Sequence, residues 1–147
     1  MSRGARDGYD LDHRHRLSPR LHYRPGWPAW REYCTDDATC VHEGEMLAII
    51  RVLETYAMIM QQIFTPVPGL RHQAQPVGVT LRQRQVLIHQ NRGTHTGEGL
   101  PVPPTGKSME STCVLVRQFE DGRLRHVSKV WNDHDARCGT TTPCRGR

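Results

Sequence analysis

An amine, a guanidinium and a thiol fall on one face of a single hairpin: Lys129, Arg117 and Cys113. The inference starts from Asp121-Gly122, which separates two β-rich runs, Thr112–Phe119 and Leu124–Trp131. Asp-Gly between such runs signals a tight turn. A turn centred near Gly122 sets Leu115 opposite Lys129, Cys113 opposite Trp131 and Arg117 opposite Val127. Alternation along each strand then puts Cys113, Leu115, Arg117, Lys129 and Trp131 on the same side of the sheet. An amine held in a dry interior has two kinds of chemistry. Burial lowers its pKa, so it can take a proton or attack a carbonyl near neutral pH; left charged, it stabilises an enolate. The alternative is a lysine whose stem lies along the sheet while its ammonium reaches the pocket mouth or pairs with a carboxylate. Arg117 suits a carboxylate or phenolate ligand.

Other groups are more ambiguous. His42 ends a short predicted strand, Ala38–His42, and alternation turns it toward the same interior, as a hydrogen-bonded structural residue or as an acid/base group. Tyr33 and Tyr56 sit on predicted helices, where each hydroxyl could reach a ligand carbonyl or simply complete the core. His95, within Gly93-Thr94-His95-Thr96-Gly97, is expected to fix a bend. Asp133 lies just past the last strand and is the nearest carboxylate to the face of Lys129. The five cysteines, Cys34, Cys40, Cys113, Cys138 and Cys144, are odd in number and lack zinc-site spacing, which reads as free thiols packed as small hydrophobes. Asp10, Asp12, His13 and His15 have metal-ligand chemistry but no second ligand set at a defined spacing, so no metal site is expected. No Ser/His/Asp triad, phosphate loop or dinucleotide fingerprint is present, and no cofactor is implied.

The elements that position these groups follow from periodicity. Trp27–Cys34 reads as a short helix with Pro28 in its first turn. Glu45–Phe64 carries Met46, Ile49, Ile50, Leu53, Tyr56, Ala57, Met60, Ile63 and Phe64 at three- and four-residue steps, and is expected as one amphipathic helix ended by Pro66 and Pro68. Leu70–Gln75 and Val86–Asn91 read as two more strands. Helices followed by a run of strands indicate an α+β fold: a curved, mostly antiparallel sheet packed against helices, enclosing a cone-shaped cavity.

Charge and composition set the outer limits. The chain has 147 residues, of which 36% are hydrophobic, and a formal net charge of +5; its mean hydropathy is −0.65. Residues 1–26 hold six Arg against three Asp, and residues 134–147 three Arg against one Asp, so all the excess charge lies in the two ends. The expectation is one domain over 27–133 with flexible basic tails at 1–26 and 134–147. A neutral folded body does not suggest nucleic-acid binding. No apolar run approaches the roughly 20 residues of a membrane span, and no secretory signal is visible, so a cytoplasmic protein without membrane contact is expected.

The order of these pieces is similar to that of the SnoaL-like polyketide cyclases of the nuclear-transport-factor-2-like superfamily. The residues that carry the resemblance are Gly93–Glu98, the bend Pro103-Pro104-Thr105-Gly106-Lys107 and the turn Phe119-Glu120-Asp121-Gly122. Asp36–His42 looks like the family's first strand with its terminal His, and Pro68-Gly69-Leu70 like the approach to its second. The resemblance covers roughly Tyr33 to Asp133. It implies cofactor-independent acid/base chemistry on an enolisable, polyketide-like small molecule: a cyclase, isomerase or dehydratase of secondary metabolism, with a homodimer possible. The family's acidic residue lies in a pattern like HWDVWD after the turn. Here the matching residues are Val127-Ser128-Lys129-Val130-Trp131-Asn132, so Lys129 takes the acid's position and Leu115 that of its partner across the hairpin. Lys129, His42 and Asp133 are therefore the candidate catalytic groups. Tyr33, Tyr56, Cys113, Leu115, Arg117 and Trp131 are candidate substrate-binding residues. Because both acid/base positions are changed, the alternative is a non-catalytic ligand-binding or dimerisation module on the same fold.

Overall fold

The computed structural model describes residues 23–80 and 83–131. The chain begins with a short helix α1 (Trp27–Trp30) and a 3₁₀ turn (Arg31–Tyr33), then enters β1 (Cys34–Glu43). A second 3₁₀ turn (Glu45–Leu47) leads to α2 (Leu53–Gln62), followed by β2 (Arg71–Thr80), β3 (Arg84–Thr94), β4 (Ser108–Glu120) and β5 (Arg123–Trp131). The five strands form one curved sheet in the order β1-β5-β4-β3-β2. Every pairing is antiparallel except that of β1 with β5, which is parallel. The expected α+β architecture is thus observed.

Strand period two builds the interior face. Along β4, Met109, Ser111, Cys113, Leu115, Arg117 and Phe119 are buried while the residues between them are partly or fully exposed. The β4–β5 hairpin has the expected register, with Leu115 opposite Lys129, Cys113 opposite Trp131 and Arg117 opposite Val127. Asp121 and Gly122 have φ of 48° and 79°, the left-handed pair that a tight hairpin turn requires and that Asp-Gly adopts at low cost. Beyond β3, the His95 carbonyl accepts from Gly106 N–H and its amide donates to the Lys107 carbonyl. Its buried ring faces Thr105, whose amide donates to Nδ1 at 3.4 Å. His95 therefore clasps the Pro/Gly-rich bend, as expected.

The single helix expected over Glu45–Phe64 is broken. Only Leu53–Gln62 is α-helical, and Val52 before it is extended (φ −97°, ψ 127°). β1 is an edge strand with free backbone groups. Residues Arg51 and Val52 satisfy part of that edge: Cys40 N–H donates to the Arg51 carbonyl at 2.8 Å, and Thr39 bridges Val52. This contact outweighs the helical periodicity of the segment, and Ile49 is left 86% exposed. The short first helix also ends sooner than expected: its last turn is 3₁₀, and Cys34 already belongs to β1, with Asp36 and Asp37 inside the strand.

α2 covers the sheet with Leu53, Tyr56 and Ala57, all buried. They pack in one cluster with Trp30, Cys40, Leu87, Leu115, Leu124 and Val127. Leu53 has no solvent exposure, so Leu53→Ala should cost about 2–5 kcal/mol. A urea unfolding midpoint that implied a loss below about 0.5 kcal/mol would show that this face of α2 is not core.

The ordered body starts before Trp27. Tyr23 is 4% exposed and belongs to the core cluster. The turn that carries it is pinned by Gly26 N–H to the Tyr23 carbonyl and by Arg24, whose guanidinium donates to the Pro68 carbonyl at 2.9 Å. Tyr23 thus packs with the folded body although it lies within the segment 1–26 expected as a tail. Composition hid this, because Tyr23 is an isolated aromatic among Arg, His, Pro and Gly. Residues 1–22 and 132–147 lie outside the described residues, and so do Asp133, Cys138, Cys144 and the acidic and His pairs near the N-terminus. Among the described residues, no helix is long and apolar enough to cross a membrane.

Candidate functional site

Lys129 is buried, at 2% exposure, so the reading in which it reaches the pocket mouth is set aside. Its position on β5 forces this: Val127, Lys129 and Trp131 share the inward face, and α2 lies above them. Nζ donates to the Tyr56 hydroxyl at 3.2 Å and stands 4.3 Å from the centre of the Trp131 ring, within cation–π reach. The Tyr56 and Tyr23 hydroxyls are 3.0 Å apart. An unbroken chain, Lys129–Tyr56–Tyr23, thus runs through the interior. Trp131 itself is held against β1's end, where a Cβ on Gly44 would come within 2.6 Å of the indole nitrogen; only glycine permits that approach.

His42 joins this group from the neighbouring strand. It is the register partner of Lys129 on the parallel β1–β5 pair, is 4% exposed, and its ring centre is 4.5 Å from that of Tyr56. The Ile50 backbone lies close enough to act on the imidazole, but among the described residues neither ring nitrogen makes a well-formed hydrogen bond. Arg117 lies diagonally across the hairpin from Lys129 and is also 2% exposed. It lines a small void with Tyr23, Trp30, Tyr56, Leu115, Leu124 and Val127. That void, about 10 Å³, has room for a single water-sized sphere.

The electrostatics follow from burial without compensation. Among the described residues, neither Lys129 nor Arg117 has a salt-bridge partner. Burial lowers the pKa of Lys129, opposed by the nearby Cys113 thiol. Burial likewise lowers that of Arg117, opposed by Tyr23, Tyr56 and Cys34. The His42 imidazole is pushed down to about 4, first by burial and then by the Lys129 charge. Tyr23 is pushed up to about 12 by burial, and Tyr56 is raised further by burial and by Tyr23. Both phenols therefore keep their protons at neutral pH, and one of the two hydroxyls donates to the other.

The low pKa of His42 has a thermodynamic consequence. The unfolded chain takes up its proton near pH 6.5, whereas the native protein resists until about pH 4. Stability attributable to this group is therefore complete above pH 6.5 and is lost as pH falls from 6.5 toward 4. The expected slope is at most one proton, about 1.4 kcal/mol per pH unit. His42→Gln should flatten the dependence of unfolding free energy on pH in that window; an unchanged slope would show that His42 titrates normally in the native state.

Several expected site residues occupy lesser roles. Cys113 is on the interior face beside Lys129, but burial raises its pKa, as it does for Cys34 and Cys40, which reach about 12 and 11. All three are free, buried thiols rather than thiolate nucleophiles. Leu115 is a packed wall residue. Tyr33 is half-buried in the 3₁₀ turn and packs on the core, but does not line the void beside Arg117.

Other residues were missed. Tyr23 and Trp30 complete the aromatic walls, and Gln85 and His89 on β3 are buried on the same face. Asn91 links His72 on β2 to Ser111 on β4 through side-chain hydrogen bonds. Alternation from Val86 onward would have placed Leu87, His89 and Asn91 together. Tyr23 had no comparable signal. Among the described residues, no group of three or more His, Cys, Asp or Glu side chains could hold a metal ion.

A model of the SnoaL-like polyketide cyclase family matches residues 23–137. The chain belongs to this family. Solved structures similar to it include a protein from Jannaschia sp. CCS1 assigned as a SnoaL-like polyketide cyclase. That likeness has a TM-score of 0.70 at 19% identity, over 97% of this chain and 99% of that one. Another is IdmH from Streptomyces antibioticus, assigned as a polyketide cyclase, with a TM-score of 0.65 at 22% identity over 84% and 92% of the two chains. AclR from Streptomyces galilaeus, a candidate hydroxylase, reaches a TM-score of 0.65 at 19% identity over 86% and 80%. These likenesses establish the fold. Among curated proteins, none matches the chain. Lys129 and Leu115 face each other across the β4–β5 hairpin of this SnoaL-like fold.

Proposed function

We propose that this SnoaL-like protein is a cofactor-independent cyclase or isomerase acting on an enolisable small molecule. One observation carries the reading: Lys129 directs a buried amine, with no carboxylate partner among the described residues, at the hydroxyl of Tyr56 inside the sheet–helix interior. A structural lysine has little reason to be there, because burying a lone cation costs stability. In the proposed mechanism, the substrate carbonyl oxygen lies against the Lys129 ammonium and the Tyr56 hydroxyl. His42, neutral at pH 7, removes the proton from the adjacent carbon. The electron pair of that C–H bond moves to the carbonyl oxygen, and the enolate charge is held by Lys129, with Tyr23 supporting Tyr56 from behind. Return of that proton from His42 to another carbon completes isomerisation; attack of the enolate carbon on an internal carbonyl, whose alkoxide then takes the proton from His42, completes cyclisation. A base with a conjugate-acid pKa of about 4 has the basicity of an ordinary carboxylate, so His42 takes over the function of the replaced acid. Deuterium uptake at the central carbon of a 1,3-dicarbonyl substrate, followed by NMR, tests this. Uptake should be catalysed by the wild type and lost in Lys129→Met and His42→Gln. Equal rates in all three would refute it.

A second reading is a non-catalytic binding or dimerisation module. It is supported by the small size of the void beside Arg117. Under that reading neither the wild type nor any variant accelerates exchange.

A further inference from the structure

Two of the buried polar side chains that the mechanism above does not use lie side by side. Arg117 on β4 is 2% exposed, and among the described residues its Nη1 has no hydrogen-bond partner. Gln85 on β3 is fully buried, and among the described residues neither its amide oxygen nor its nitrogen has one. The two are register partners on adjacent antiparallel strands, so their side chains rise from the same face side by side. Unpartnered buried groups of this kind each cost stability. A lone guanidinium costs most, and a pair of them at one spot calls for a common cause.

We propose that Arg117 and Gln85 form a carboxylate-binding subsite within the interior, and that the ligand is an oxo acid. The guanidinium fork offers two parallel N–H donors to a carboxylate, and the Gln85 amide N–H₂ a third. The ligand's negative charge then supplies the counter-charge that Arg117 lacks among the described residues. Arg117 and Lys129 are diagonal neighbours across the hairpin, a separation of roughly 7–8 Å between strands. An acid docked on Arg117 therefore presents a carbonyl a few bonds away to Lys129 and Tyr56. This part of the inference rests on the proposed chemistry at Lys129; the carboxylate subsite itself does not. Tyr23 is the wall that must yield. It lines the void beside Arg117, and admitting a group larger than water requires its ring to leave its contacts with Trp30, His72 and Tyr56.

The test uses 4-oxopentanoate, with its neutral methyl ester as control, at matched ionic strength. Binding to the full-length protein is read by calorimetry and by the shift in thermal midpoint. The acid should bind and raise the midpoint, the ester at least tenfold more weakly. Arg117→Met should reduce acid affinity at least tenfold while raising the midpoint of the ligand-free protein, because it removes a lone buried charge. Should that variant fail to fold, Arg117→Lys, which keeps the charge and loses the fork, and Gln85→Leu decide the matter. Arg117→Lys should weaken acid binding at least tenfold and Gln85→Leu severalfold. Equal binding of acid and ester, no binding of either, or undiminished affinity in these variants overturns the subsite. Lys129→Met separates the two proposals. It should still bind the acid while losing deuterium exchange. Binding with no exchange in the wild type sinks the catalytic reading and leaves the subsite standing.

Discussion

Lys129→Met should lower the rate of proton exchange at an enolisable carbon by at least about 100-fold while yielding a protein that is more stable than the wild type. The two effects have one origin. Methionine has nearly the length and shape of the lysine stem, so packing against Trp131 and Tyr56 survives. What disappears is a charge that burial disfavours, which should raise stability by about 1 kcal/mol or more. The Tyr56 hydroxyl keeps its bond to Tyr23, so no new buried donor is stranded. Loss of one electrostatic partner to a developing enolate typically costs about 10²–10³ in rate. The pH profile distinguishes the two roles open to the amine. As a cation that holds the enolate, Lys129 loses effect as pH rises through its lowered pKa. As the proton acceptor it gains effect over the same range, and His42→Gln would then leave the rate nearly intact. A folded Lys129→Met with undiminished exchange would remove Lys129 from the mechanism altogether. Lys129→Asp is the reciprocal experiment. It places a carboxylate between His42 and Arg117, where it gains a counter-charge.

What the sequence disclosed about this protein was decided by how local each signal is. The β4–β5 register matched the one expected from a turn centred near Gly122, although it is reached through a bulge: Glu120 and Phe119 pair with Arg123 and Leu124 beside the two-residue Asp-Gly turn, and a shift between Gln118 and Phe119 then sets Leu115 opposite Lys129. The inward direction of Lys129, Arg117, Cys113 and His42 followed from strand alternation. The extent of α2 was not legible. Met46, Ile49 and Ile50 fit a helical stripe, yet the edge of β1 captured Arg51 and Val52, and edge pairing is a non-local demand that periodicity does not report. The parallel pairing of β1 with β5 is likewise a product of tertiary topology, and it alone brings His42 beside Lys129. Buried Gln85 could have been found only by carrying the register from β4 one strand further, to Arg117's other neighbour. Tyr23 was invisible for the opposite reason: it lies in no periodic element, and its burial depends on meeting Trp30, His72 and Tyr56 from three separate parts of the chain.

That convergence makes Tyr23 the position where a single truncation should do most damage to the fold. Its ring centre is 5.3 Å from that of Trp30, 4.9 Å from that of His72 and 5.8 Å, edge-on, from that of Tyr56. Tyr23→Ala removes all three contacts and opens a cavity beside Arg117, a loss of about 3–5 kcal/mol for a buried aromatic. Tyr23→Phe keeps the ring and removes only the bond to Tyr56, about 0.5–1.5 kcal/mol. The difference between the variants therefore separates packing from the hydrogen bond. Alkaline unfolding gives an independent check on the phenol. Tyr23 holds its proton to about pH 12 in the native protein against about 10 when unfolded, so its contribution is intact below pH 10 and lost as pH rises toward 12. Tyr23→Phe should blunt that loss. Urea unfolding at constant slope measures each variant. A Tyr23→Ala cost below about 1 kcal/mol would mean that the ring does not pack in solution as it does here. The interior would then be open at Arg117, and Tyr23 could not be the wall that a ligand has to displace.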